Sequence, residues 1–179
     1  MTIETERLIM RRWREADREP FAALNADPKV MEYFPGLLTR ERSDHLVDRI
    51  EQSFDELGYG LWALEVRESG EFIGFTGLAL QTFEAPFTPA VEVGWRLTRH
   101  AWGHGYATES ARAAVAYGFD RLGLAEIVSM TAAVNLRSRA VMERLGMTHD
   151  PADDFEHPSV VSPDSPLRPH VLYRLRRAH

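Results

Sequence analysis

The chain has 179 residues, 44% hydrophobic and 27% charged, enough for a single domain over residues 1–179 with a sizeable core. A net charge of −6 leaves no basic excess for a nucleic-acid face and suits a neutral or cationic substrate. Cysteine is absent, which excludes disulfides, thiolate metal sites and a cysteine nucleophile.

The opening MTIETERLIMRRW lacks the apolar core of a signal peptide, and no window approaches the roughly 18 apolar residues of a membrane span. A cytoplasmic protein with no membrane partner is expected. Leu8 to Arg12 reads as a first strand. Asp17 caps a short helix with Phe21 and Leu24 on one face. MEYFPG (31–36) is a loop with aromatics. Thr39 opens a second helix whose Leu46, Ile50, Phe54 and Leu57 fall at helical spacing, and Gly58 follows as a stop. LWALEV (61–66) and FIGFTGLAL (72–80) are strands joined by the turn RESGE.

AVEVGWRL (90–97) alternates, with Val91, Val93, Trp95 and Leu97 on one face and Glu92, Gly94 and Arg96 on the other. A long helix then turns Ala107, Ala111, Val115, Phe119 and Leu122 inward, and Gly123 lies beyond it. IVSMTA (127–132) reads as a buried strand. Asn135 opens a last helix, with Leu136, Ala140, Val141 and Leu145 inward and Gly146 at its end. Residues 150–169 hold Pro151, Pro158, Pro163, Pro166 and Pro169, a long connection of the kind that often carries function. HVLYRL (170–175) is the final strand. Antiparallel strands lead and βα units follow, so the class is α+β around one mixed, mostly antiparallel sheet of about six or seven strands with about four helices.

RHAWGHGYATES (99–110) places two glycines between a strand and a helix N-terminus. Such a junction is either a plain turn or an anion cradle, because free backbone N–H groups and the helix dipole point at it. A dinucleotide fingerprint needs a third glycine where Thr108 stands, and an acid at the far end of the next strand. Glu126 lies at the near end, and no G-K-[ST] phosphate loop occurs. With one or two βα units, a nucleotide-dependent oxidoreductase on a doubly wound sheet is a weak rival.

VEVGWRLTRHAWGHGYATESARAAV and TAAVNLRSRAVMERLGM together resemble the GNAT superfamily of acetyl-CoA-dependent N-acetyltransferases, in its RimJ/RimL-type branch. TERLIMRRWREAD fits the same branch, and the resemblance runs from residue 5 to about 175. In the family loop [QR]-x-x-G-x-[GA], Gly103 and Gly105 match the glycines, while His100 stands at the first position with Arg99 beside it.

The resemblance implies a sheet splayed at its middle, with the coenzyme's pantetheine arm in the gap. Val93, Gly94, Trp95, Arg96 and Leu97 would line the arm. Arg99, His100, Ala101, Trp102, Gly103, His104, Gly105, Tyr106 and Ala107 would hold the pyrophosphate. Asn135 would cap its helix and contact the coenzyme. Ser138 resembles a residue near the thiol in this branch, and its alternative is a place in the capped first turn. Many relatives carry a proton-donating tyrosine where this chain has Met142.

Acetyl transfer needs a neutral amine, and an alkylamine of pKa about 10.4 is roughly three pH units too protonated at neutrality. Glu92 is the leading general base, directly or through water, with pairing to Arg96 as its structural alternative and Glu65 as a reserve. The acceptor side would draw on Tyr33, Phe34, Trp62, Phe75 and Tyr173, with the loop acids Asp153, Asp154 and Glu156. The implied partners are acetyl-CoA as co-substrate and a small-molecule or peptide amine, with no metal, no nucleic acid, and a monomer or homodimer. A coenzyme A-binding module without the reaction is the other rival.

Overall fold

The computed structural model describes residues 1–178. Its strands are β1 (Ile3–Glu4), β2 (Leu8–Arg11), β3 (Leu61–Val66), β4 (Phe72–Gln81), β5 (Ala90–Leu97), β6 (Glu126–Ala132), β7 (Thr148–His149), β8 (Phe155–Glu156) and β9 (Pro169–Arg176). Its helices are α1 (Arg18–Asn25), α2 (Arg40–Leu57), α3 (Tyr106–Asp120) and α4 (Leu136–Arg144). The strands form one nine-stranded sheet in the order β1-β2-β3-β4-β5-β6-β9-β7, with β8 also on β9. All pairs are antiparallel except β5–β6. The sheet has more strands than expected because β1, β7 and β8 are two residues each, too short to show any periodicity.

Local chemistry explains the ends of the longer elements. The Thr39 side chain accepts the Arg42 N–H at the start of α2, and Gly58 ends the helix at a left-handed φ of 76°. The Asn135 side chain accepts the Ser138 N–H at the start of α4. The expected inward faces of α2 and α3 pack on the core, with Ala107, Ala111, Val115, Phe119 and Leu122 of α3 all against it; Leu57 of α2 and Leu136 of α4 are the exceptions. α2 buries Ser43, Val47, Ile50 and Phe54, and leaves Leu57 exposed. α3 buries Ser110, Ala111, Ala114, Val115 and Gly118. α4 buries Met142, whereas Leu136 is 69% exposed.

Small residues face the sheet on α3 because close approach is what packing requires there. A Cβ on Gly118 would come within 2.7 Å of Ile127. The core gathers Leu8, Met10, Phe21, Trp62, Leu64, Ile73, Leu78, Val93 and Ile127 between the sheet and its helices. The proline-rich connection is built into the sheet, with Phe155 opposite His170 and Glu156 opposite Pro169.

Candidate active site

β5 and β6 are joined by a single ladder pair, Glu92 opposite Val128. Beside it the buried Ser129 hydroxyl donates to the Val93 carbonyl at 2.9 Å. Past that point the strands separate, and a cavity of about 1500 Å³ occupies the gap. Glu92, Gly94, Trp95, Arg96 and Leu97 line it, while the Val93 side chain is fully buried in the core. A Cβ on Gly94 would meet nothing within 4 Å, so this position keeps the floor open.

The 99–107 stretch closes one end. Gly103 and Gly105 both sit at φ 79°, a conformation that favours glycine. Gly105 is the N-cap of α3 and offers no side chain, so the first N–H groups of a fifteen-residue helix stay available to an anion. Ala101, Trp102, Gly103, Gly105, Tyr106 and Ala107 line the cavity. The side chains of Arg99, His100 and His104 do not. Arg99 bonds Asp27 at 2.9 Å, His100 lies 2.8 Å from Glu71, and His104 stacks on Tyr106. His100 therefore stands at the family's Gln/Arg position with its ring turned toward another partner.

Arg7 braces this loop from the opposite end of the sequence. Its guanidinium donates to the His104 carbonyl at 2.8 Å and to Glu109 at 2.7 Å, and lies 4.8 Å from the Tyr106 ring. Glu109, in the first turn of α3, also accepts from Thr5 and from the Arg7 backbone. Arg7 and Arg112 line the same end of the cavity. Neither stands out in sequence, because Arg7 and Glu109 are 102 residues apart.

On the β6 side the cavity meets the start of α4. Asn135 Nδ2 donates to Thr131 Oγ1 and to Ser138 Oγ, at 3.0 and 3.1 Å. Asn135, Ser138 and Met142 all line the wall, so the capping arrangement and a place at the cavity coexist. Arg137 also lines it, 4.1 Å from the Trp102 ring, whereas Arg139 turns to the Ala133 carbonyl and the Tyr173 hydroxyl.

Glu92 is not paired with Arg96. Its carboxylate accepts the Gln81 amide at 2.7 Å and a backbone hydrogen bond from Met130. Burial raises its pKa to about 7, against the downward pull of those two donors. Arg96 instead donates to Asn25 Oδ1 at 2.6 Å, with Phe34 and Phe75 rings 4.3 and 5.2 Å from its guanidinium. Glu65, the reserve acid, is bonded to Arg11 and Arg14 outside the cavity.

Of the aromatics expected at the acceptor side, Tyr33, Phe34 and Phe75 line the cavity. Trp62 and Tyr173 do not. Trp62 is fully buried between Phe54 and Tyr117. Tyr173 stacks on His149 and donates to Glu143. The reason is strand parity and depth: both sit on central strands whose neighbours close over them. The loop acids are also engaged elsewhere, Asp153 with Arg174, Asp154 with His149 and Glu156 with Arg168. The connection contributes His157, Ser159 and Val160 to the wall instead, beside His170 from β9. Burial lowers the pKa of His157, and that of His170 to about 4, so this wall stays neutral.

The family model described as Acetyltransferase (GNAT) domain matches residues 7–148. The chain belongs to the GNAT acetyltransferase family. A solved acetyltransferase from Agrobacterium tumefaciens superposes with a TM-score of 0.79 at 29% identity, covering 99% of this chain and 95% of that one. The FsC-acetyl coenzyme A-N(2)-transacetylase of Aspergillus fumigatus is 36% identical over 155 residues, 83% of this chain and 65% of that protein. A RimL ribosomal L7/L12 alpha-N-protein acetyltransferase in complex with coenzyme A shares the fold, with a TM-score of 0.77 at 18% identity over 98% of both chains.

This GNAT acyltransferase has an architecture that fits the donor its fold uses, acetyl-CoA. The α3 N-terminus with two left-handed glycines suits a pyrophosphate, and the parted β5 edge suits an amide-bearing arm. Among the described residues no cluster of three His, Asp or Glu is placed to hold a metal, and no helix is long and apolar enough to cross a membrane.

Proposed function

We propose that the protein moves an acetyl group from acetyl-CoA directly onto a primary amine of a protein N-terminus or small molecule. The observation that carries this reading is the position of Glu92. Its carboxyl group lies at the last rung before β5 and β6 part, in a cavity that also reaches the α3 N-terminus and the aromatic wall of Tyr33, Phe34 and Phe75. A carboxyl group with a pKa of about 7 is in good part carboxylate at neutral pH, and can take the proton that the amine nitrogen sheds as it bonds to the acetyl carbon.

Acetyl-CoA supplies an activated acetyl thioester. The amine nitrogen bonds to the acetyl carbon as the carbon–sulfur bond breaks, and the amine proton passes to Glu92, directly or through water. Backbone N–H groups of β5 past Val93, which have no β6 partner, are suited to the charge that develops on the acetyl oxygen. The departing sulfur takes its proton from solvent, directly or relayed through the Ser138 hydroxyl, which passes one proton on as it receives another, since Met142 offers none. A thiol of pKa about 8.5 makes that last step undemanding. No acyl-enzyme forms, in keeping with a chain that has no cysteine.

Thiol release from acetyl-CoA, measured across a panel of amines and N-terminal peptides, tests the reading. Amine-dependent release with a matching acetylated product is expected. Tight coenzyme A binding with no release for any amine would replace it with the binding-module reading.

A further inference from the structure

Arg96 is held in the cavity without a counter-ion. Its Nη1 donates to Asn25 Oδ1, Nε is enclosed with no partner, and no carboxylate pairs with it among the described residues. Asn25 is itself fixed, because its amide donates to the buried Ser43 hydroxyl at 3.0 Å. Within the protein the guanidinium has one neutral acceptor and two aromatic faces, a poor match for a full charge. Burial accordingly lowers its pKa to about 10. Arg7 and Arg137 on the same lining each have a carboxylate, Glu109 and Glu32, while Arg112, at the α3 end, donates to the Arg144 carbonyl.

Glu92 is the mirror case, an acid with no cation beside it. The two residues share one face of β5 and are four residues apart, so their Cα atoms are about 13 Å from each other. Gly94 lies between them and leaves the floor bare. Arg96 leaves the strand toward α1 and the 31–36 loop, contacting Asn25 and Phe34.

We propose that the acceptor is a primary amine bearing its own carboxylate at the far end of a short aliphatic chain, with the carboxylate received by Arg96 and the amine by Glu92. The inference rests on the acetyl-transfer reading and names its substrate class. On this face of β5, two charges of opposite sign, neither with an ion partner and with the bare Gly94 between them, complement such a molecule at both ends. They complement a plain alkylamine or an uncharged peptide N-terminus at one end only.

The test compares ω-aminopentanoate with ω-aminopentanamide, and their homologues one carbon shorter and longer, in the native protein and in Arg96→Gln and Arg96→Lys. A charge-assisted contact predicts kcat/KM higher for the acid than for its amide by about ten- to a hundredfold, expressed in KM. The ratio should fall close to one in Arg96→Gln and recover in part in Arg96→Lys. Acetyl-CoA-induced thermal shifts show whether each variant is folded. If Arg96→Gln does not fold, the acid-to-amide ratio of the native protein decides alone. Equal kcat/KM for acid and amide in the native protein overturns the proposal while leaving acetyl transfer standing. A preference that persists undiminished in a folded Arg96→Gln overturns the role of Arg96. Turnover of no amine of either kind overturns acetyl transfer and this inference together.

Discussion

Glu92 couples activity and stability to pH in opposite directions. Its proton-free form is the base, so kcat/KM should rise with pH through about 7, in addition to any rise from the amine itself. Glu92→Gln should remove the limb near 7 and lower kcat/KM by about 100-fold at neutral pH. A retained limb would mean another group accepts the proton. For stability, the folded pKa lies above the ordinary 4.5, so the folded state holds this proton more tightly than the unfolded chain. Stability is therefore lost as pH rises from 4.5 toward 7, by on the order of 3 kcal/mol at about 1.4 kcal/mol per pH unit. Glu92→Gln should accordingly melt higher than the native protein at pH 8 and about level with it at pH 4, read by thermal denaturation at both values. The alternation of AVEVGWRL was enough to place Glu92 and Arg96 on one face. It could not show that they are separate, because their partners, Gln81 and Asn25, come from β4 and α1 and depend on sheet register.

Among the elements, α3 shows how a local signal needs a distant support. Its two glycines and bare N-terminus are written in twelve consecutive residues, and they stand where the alternation and spacing put them. The strut that fixes the loop is not. Arg7 reaches it from the turn before β2, and nothing near residue 7 indicates that the His104 carbonyl will be its acceptor. Arg7→Gln removes one charge-assisted contact to the loop carbonyl and a cation at the anion end of the cavity. Acetyl-CoA affinity should fall about tenfold, with a smaller loss at high salt, in calorimetric titrations. An unchanged Kd would reduce Arg7 to a surface ion pair with Glu109. The helices were legible as helices, and so were most of their inward positions, Leu57 and Leu136 excepted. α2 turns Ser43 and Val47 inward because the Asn25 amide and the sheet select that face, and apolar spacing alone favoured Leu57. Trp62 and Tyr173 were misplaced for a related reason: an aromatic on a central strand serves core or pocket depending on which helices cover it, and coverage is a property of the assembled layers.

At the scale of the whole molecule, the sheet is two sheets that meet at one rung. β1 to β5 form one half, and β6, β7, β8 and β9 the other. The Glu92–Val128 pair, the Ser129–Val93 hydrogen bond and the Met130 N–H donated to the Glu92 carboxylate tie the strands across the junction. A ligand that binds both the β5 edge and the α4 wall joins the halves, and it stabilises the folded state by RT ln(1 + [L]/Kd), about 2.7 kcal/mol at a hundredfold excess over Kd. Coenzyme A should therefore raise the melting temperature and slow cleavage by a broad-specificity protease, with amide exchange slowed most along residues 94–97. Equal proteolysis with and without coenzyme A would mean that the halves are already locked. The single rung thus has a consequence outside catalysis. A protein whose folded population depends on filling a gap in its own sheet reports on the supply of what fills it, so its lifetime in a cell would track the abundance of the coenzyme.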